Sequence, residues 1–149
     1  KQLYTYNINS NRNVKSARTE AFVRPFPISY FKLIKSHAQN SLGQRGLSAQ
    51  ESEKLGDQAF IYWIIYVLVS YSLSMIQGKV VLENGVQCRR KIIDDILADS
   101  DVSKAIRNYS RSQEESSWIP RAIAWRSRKL LEFACTRRAK EILRIRRKD

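Results

Sequence analysis

Residues 48–78 read SAQESEKLGDQAFIYWIIYVLVSYSLSMIQG, and the rest of the chain is organised around them. The opening Ser48-Ala49-Gln50-Glu51 is an S-x-x-E capping box: the serine hydroxyl accepts from the Glu51 backbone N–H, and the Glu51 carboxylate reaches back to the serine N–H. Two of the donors that a helix start leaves without partners are thereby satisfied. The pattern predicts one helix running unbroken to Gly78, about 44 Å long at 1.5 Å per residue. From Gln58 to Gly78 it carries no charge, and residues 59–76 are nearly all apolar or aromatic.

A helix apolar on every side needs protein or lipid all round it. Its 18 residues from 59 to 76 reach the lower edge of a membrane span, with Tyr62, Trp63 and Tyr66 placed for an interfacial belt and Lys79 at one flank. Against that, Ser70, Tyr71, Ser72 and Ser74 carry hydroxyls, and Glu53 and Asp57 share the helix. Burial by the protein's own bundle together with neighbouring subunits is the first reading, and a membrane the second.

On the N-terminal side, Ile28 to Leu42 reads as a short helix with Tyr30, Phe31, Leu33 and Ile34 on its apolar side and Lys32 and Lys35 outside, closed by a turn at Gly43 and Gly46. Residues 1–27 read as an extended basic arm, because Asn, Ser, Arg and Lys dominate and Arg24-Pro25-Phe26-Pro27 forbids helix across its end. The chain opens at Lys1, which suggests processing, and its first residues lack the apolar core of a secretory signal.

On the C-terminal side, Asn84-Gly85 inside VVLENGVQC is a two-residue turn signal that predicts a short hairpin near residues 80–88 or a helix-to-helix turn. Arg89 to Ala98 resumes helical spacing with Ile92, Ile93, Ile96 and Leu97 inward, and Asp99 or Ser100 caps a further short helix carrying Val102, Ile106 and Tyr109 on one side. A last long helix runs from about Ser117 to Arg147, with Pro120 in its first turn. On a helical wheel Ile123, Ala124, Leu130, Leu131, Ala134, Cys135, Ile142 and Ile145 share one arc, with Arg138 and Glu141 on or beside it, where the two can pair with neighbours. The expected fold is all-α: a small helix bundle over residues 47–149, preceded by residues 1–46 as a basic N-terminal arm with a short helix. No internal repeat or sustained heptad is present.

Charge is unevenly spread. Residues 1–50 hold eight Lys/Arg against one acid, residues 51–100 five against seven, and residues 101–149 fourteen against six, for a net +13. Such an excess costs self-repulsion in the compact state, so a polyanion is the expected partner. Enzymatic chemistry finds little support. The single histidine, His37, sits among Lys and Ser in a helix and reads as solvated. Asp94 and Asp95 read as i,i+4 partners of Arg90 and Lys91. Cys88 and Cys135 stand in no metal or redox spacing, and no phosphate-cradling glycine motif occurs. No catalytic residue, metal or cofactor is expected.

The strongest functional signal is the face of the last helix opposite its apolar arc. Arg126, Arg128, Lys129, Lys140, Arg144, Arg146 and Arg147 share it, with Arg137 near its border and Arg121 just before. A solvated surface usually mixes signs, whereas Glu132 and Glu141 are the only acids between Arg126 and Lys148. Arginine's planar fork grips phosphate oxygens two at a time, which lysine does not. The arm repeats the theme with Arg12, Lys15, Arg18 and Arg24 among Tyr4, Tyr6, Phe22 and Phe26, and Lys32, Lys35 and Arg45 extend it. No base-reading module is recognisable, so binding is expected to be sequence-independent.

A small all-helical domain with a basic arm, a long apolar helix and a basic helical rail resembles the major coat proteins of filamentous, rod-like archaeal double-stranded DNA viruses. The resemblance is one of architecture and carries no shared motif. It implies helix bundles with N-terminal extensions, paired copies of which wrap a genome held in A-form into a helical filament. In those terms residues 1–46 include the DNA-embracing arm, the final helix lines the same groove, and residues 59–76 are buried between subunits. The function implied is genome packaging by a structural protein that self-assembles, alone or with a paralogous subunit, on double-stranded DNA first among nucleic acids. Its place is then the virion, as a helical nucleocapsid, and otherwise the cytoplasm. The rival readings are a small membrane-anchored protein with a basic face and a basic subunit of an RNA–protein particle.

Overall fold

A computed structural model describes residues 27–78, 82–110 and 118–145. Those residues form six α-helices and no strand, the all-α bundle expected. The arm residues Arg12, Lys15, Arg18 and Arg24, and Arg146 and Arg147 at the other end, lie outside the described residues.

Helix α1 (Ile28–Gln44) begins directly after Pro27, whose extended backbone cannot continue a helix upstream. It ends in a reversal at Gly46, where φ is 85°, a left-handed value that glycine adopts without steric cost. The Leu47 N–H reaches back to the Leu42 carbonyl and the Gly46 N–H to that of Gly43. The chain then enters α2 (Ala49–Ile76) through the expected capping box. The Glu51 N–H donates to Ser48 Oγ at 3.2 Å and the Ser48 N–H to Glu51 Oε2 at 3.1 Å. The Ser48 hydroxyl also donates to Glu51 Oε2 at 2.7 Å, and this bond, followed by that from the Ser48 N–H, holds the Glu51 carboxyl below the usual carboxylate range.

Because the turn is short, α1 folds back along α2, and this is the most extensive helix–helix contact in the protein. The crossing explains Gly56, which stands inside a helix where glycine costs about 1 kcal/mol relative to alanine. A Cβ there would lie 2.5 Å from Gln39 Cγ of α1, so any side chain at position 56 has to displace Gln39 from the seam. Helix α1 therefore belongs to the bundle, although the sequence groups it with the arm.

Helix α3 (Leu82–Ala98) corrects the hairpin reading of residues 80–88: from Leu82 onward that segment is helical, and Asn84-Gly85 lies in the first turn. The local turn preference loses to a row of residues at i, i+4 spacing, in which Cys88 packs against the core and Ile92 and Ile96 are fully buried. Helix α4 (Ser100–Asn108) is capped by Asp99, whose Oδ1 accepts from the N–H groups of Asp101 at 2.8 Å and Val102 at 3.2 Å.

The single last helix expected from Ser117 to Arg147 is instead two, α5 (Trp118–Ala124) and α6 (Arg128–Ile145). Pro120 does sit in the first turn of α5. The break comes at Arg126, whose φ of 50° is left-handed. The Arg126 N–H bonds the Ile123 carbonyl at 3.0 Å and the Ser127 N–H the Ala122 carbonyl at 3.0 Å, the paired bonds of a Schellman C-cap. Ser127 then starts α6, its hydroxyl accepting from the Leu130 N–H at 3.4 Å.

The core is built on α2. Phe60, Ile61, Ile64 and Leu68 are buried at 0–1 % exposure, joined by Phe31 of α1, Val102 and Ala105 of α4, Ile119 and Ile123 of α5, and Leu131 of α6. Each large apolar side chain so buried contributes about 1.5–3 kcal/mol. Helix α6 presents Ala134, Cys135 and Ala139 inward, small side chains that suit its close packing along α2. Burial pushes the Cys135 thiol up to about 12, leaving it an inert core residue.

Candidate nucleic-acid interface

The basic residues singled out in the sequence divide in the folded chain by what already neutralises them. Lys35 turns inward: its Nζ lies 2.7 Å from Oδ1 of Asp57, whose side chain is 2 % exposed, and 5.8 Å from the Phe60 ring centroid. Asp57 Oδ2 accepts from Asn108 Nδ2 at 2.8 Å, so one buried carboxylate ties α1, α2 and α4 together. Next to it, Gln58 forms a two-way clasp with the Ser110 backbone, accepting at 2.9 Å and donating at 2.8 Å. Lys32 bridges Asp99 and Asp101, both at 2.8 Å. These partners act on each other's titration: the bonds to Asp101 and Asp99 raise Lys32, and the bond to Lys32 lowers Asp101.

Three side chains fasten α6 to α3. Arg128 reaches Asp94 at 3.3 Å, Arg90 lies 3.7 Å from Glu132, and Arg89 donates to Thr136 Oγ1 at 3.2 Å. Of the two i,i+4 pairs expected on α3, Lys91–Asp95 forms at 3.2 Å, whereas Asp94 pairs with Arg128 rather than Arg90. Arg138 pairs with Glu141 at 3.3 Å, which accounts for two charged residues beside the apolar arc of α6, and Arg137 approaches the same carboxylate at 3.4 Å. His37 is an exposed residue of α1.

Lys129, Lys140 and Arg144 remain, exposed on α6 with no ion pair among the described residues. At 100° per residue they fall within about 60° of one another, with Arg137 at the edge. Lys129 to Arg144 spans about 22 Å of helix. Phe133 stands in the middle of this face at 60 % exposure, a residue the sequence reading passed over because it marks neither the apolar arc nor the charge. Its isolation among cations was the available signal. Phe133, Thr136, Arg137, Lys140, Glu141 and Arg144 line a shallow depression of about 350 Å³.

At the α5–α6 turn, Arg126 donates from Nη2 to Ser103 Oγ at 2.6 Å, and Arg121 lies 5.7 Å from the Trp118 ring centroid. Arg45 is exposed at the end of α1. The result is a strip of fixed backbone carrying separated, hydrated cations around one aromatic ring. Such a strip offers positive charge and N–H donors to an anionic surface, with Thr136 and Glu141 beside them in the depression. Among the described residues no three His, Cys, Asp or Glu side chains are grouped as metal ligands would be.

Comparison with protein-family models, with characterised proteins and with solved structures finds no match to this chain.

Proposed function

We propose that this protein is a non-enzymatic, sequence-independent nucleic-acid-binding protein that packages a genome as one copy among many, with double-stranded DNA as its first ligand. The observation that carries this reading is the open cationic face of α6, where Lys129, Lys140 and Arg144 stand without ion pairs among the described residues while Lys32, Lys35 and Arg128 are each paired with an acid of another helix or its cap. Phosphates binding there release their condensed counterions, so the driving force is electrostatic and indifferent to base sequence. The resemblance to filamentous-virus coat proteins fits this role, and in our reading the protein acts in a helical nucleocapsid built with copies of itself or a paralogous subunit.

The test is fluorescence anisotropy of the full chain with two unrelated duplexes over a salt series. Affinity should be equal for the two sequences and fall steeply with salt. The triple variant Lys129→Ala/Lys140→Ala/Arg144→Ala should flatten the log–log slope by about 2.7, from 0.9 per lost phosphate contact. Absent binding at low salt, strong sequence preference, or an unchanged slope in the triple variant would each overturn the reading.

A further inference from the structure

One face of the long apolar helix stays exposed among the described residues. Leu55, Tyr62, Trp63 and Tyr66 are 43, 49, 40 and 52 % exposed, although they belong to the helix that supplies the largest share of the core among the described residues. At 100° per residue Leu55, Tyr62, Tyr66 and Leu73 lie within about 40° of one another, with Trp63 on the flank. The three rings hold one another in place by edge-to-face contacts, Tyr62–Trp63 at 6.1 Å and Trp63–Tyr66 at 5.4 Å between centroids. Pre-ordered Tyr and Trp side chains on a surface bring large contact area at low entropic cost, as protein–protein hot spots do.

We propose that this α2 face is the surface on which a second copy of the chain docks, Tyr62, Trp63 and Tyr66 of each copy packing against the same residues of the other. Charge identifies the occupant. Two copies at +13 each repel wherever their charged surfaces approach, and α2 from Gln58 to Gly78 is without a single charge. Close approach there desolvates no like-charged pair, and a two-fold axis makes the face complementary to itself. A polyanion has no cation to hold on this strip. A bilayer is disfavoured by what surrounds α2: half of its apolar window is already buried in the bundle, and α1 and α6 pack along it carrying Lys32, Lys35, Lys129 and Lys140. Leu55 to Leu73 is about 27 Å of helix roughly 10 Å wide. That strip is smaller than the ~800 Å² per partner of a standard free interface, so pairing is weak in isolation and is reinforced when copies share one polyanion. The inference deepens the self-assembly in the proposed function but is separable from its nucleic-acid half.

Sedimentation velocity of the full chain without nucleic acid, from about 10 µM to about 1 mM, tests it. Wild type should show concentration-dependent dimerisation, and Tyr66→Lys should remove it with an unchanged thermal melt. Leu33→Lys, which adds the same charge at an exposed site on α1, should leave dimerisation largely intact. Monomers throughout for wild type, equal loss in both lysine variants, or flotation with phosphatidylcholine vesicles that Tyr66→Lys abolishes would overturn the proposal. Dimerisation lost only in Tyr66→Lys, by a protein that binds no duplex, would sustain this inference and sink the nucleic-acid reading.

Discussion

The lysines of α1 and the cations of α6 look alike in the sequence, both standing on the polar side of amphipathic helices, yet the fold puts them to opposite uses. Lys35 and Lys32 neutralise Asp57, Asp99 and Asp101 and so hold α1 against α2 and α4. Lys129, Lys140 and Arg144 meet no acid among the described residues and face solvent. A net charge therefore overstates what is available to a partner. The useful quantity is the charge left after internal pairing, and it is concentrated on α6, whose six Lys/Arg outnumber its two acids.

The strongest test of this contrast is Asp57→Ala, which leaves Lys35 and Asn108 without their shared partner in a nearly closed site. It should cost about 3 kcal/mol, read as a lower denaturant midpoint at unchanged slope, and adding Lys35→Met should recover part of the loss. Lys140→Ala should change stability by no more than about 0.5 kcal/mol. Comparable losses in the two single variants would erase the distinction between inward and outward cations.

A smaller effect concerns the seam that brings the α1 lysines within reach. Gly56→Ala gains about 1 kcal/mol of helix propensity but drives its methyl into Gln39. Alone it should destabilise, and in a Gln39→Ala background it should stabilise by about 1 kcal/mol, a sign change that thermal melts detect. The same sign in both backgrounds would mean that the close crossing is not what requires glycine.

The smallest effect is electrostatic and exposed. The Asp101 carboxyl is lowered by Lys32, so its contribution is present above the ordinary value of 3.8 and is lost as pH falls through the folded value below it. Lys32 is raised, so its share is present below 10.5 and is lost as pH rises past its folded value. Both side chains are about 40 % exposed, which limits the pair to under about 1 kcal/mol. Asp101→Asn should lower the melting temperature slightly at neutral pH and converge with wild type as pH falls, so that the acid limb is flatter. An acid limb identical to wild type would remove this ion pair from the account.

What was legible in the sequence is what local chemistry decides. The Ser48–Glu51 box, the cap offered by Asp99 or Ser100, which Asp99 takes, and the uninterrupted helix that follows Ser48 rest on residues a few positions apart, and each forms. The break at 125–127 was hidden because the left-handed position that usually holds glycine is filled by Arg126, so nothing in the text of the chain marks a stop. Asn84-Gly85 misled in the other direction, its turn preference yielding to burial of Ile92 and Ile96. The cationic face of α6 was visible from periodicity. Its partition into paired and open residues depends on Asp94 of α3, and Lys35 on Asp57 of α2, contacts fixed only by tertiary packing.

Arg126 has a further consequence. A side chain of its length ordinarily loses about 2 kcal/mol of rotamer freedom when a ligand fixes it. Here the backbone is set by the cap and one guanidinium N–H is engaged by Ser103 at the surface, so part of that freedom is surrendered when the chain folds. A ligand using the remaining N–H donors at the α5–α6 turn would meet a side chain already partly ordered, and the entropy of association there is correspondingly less adverse.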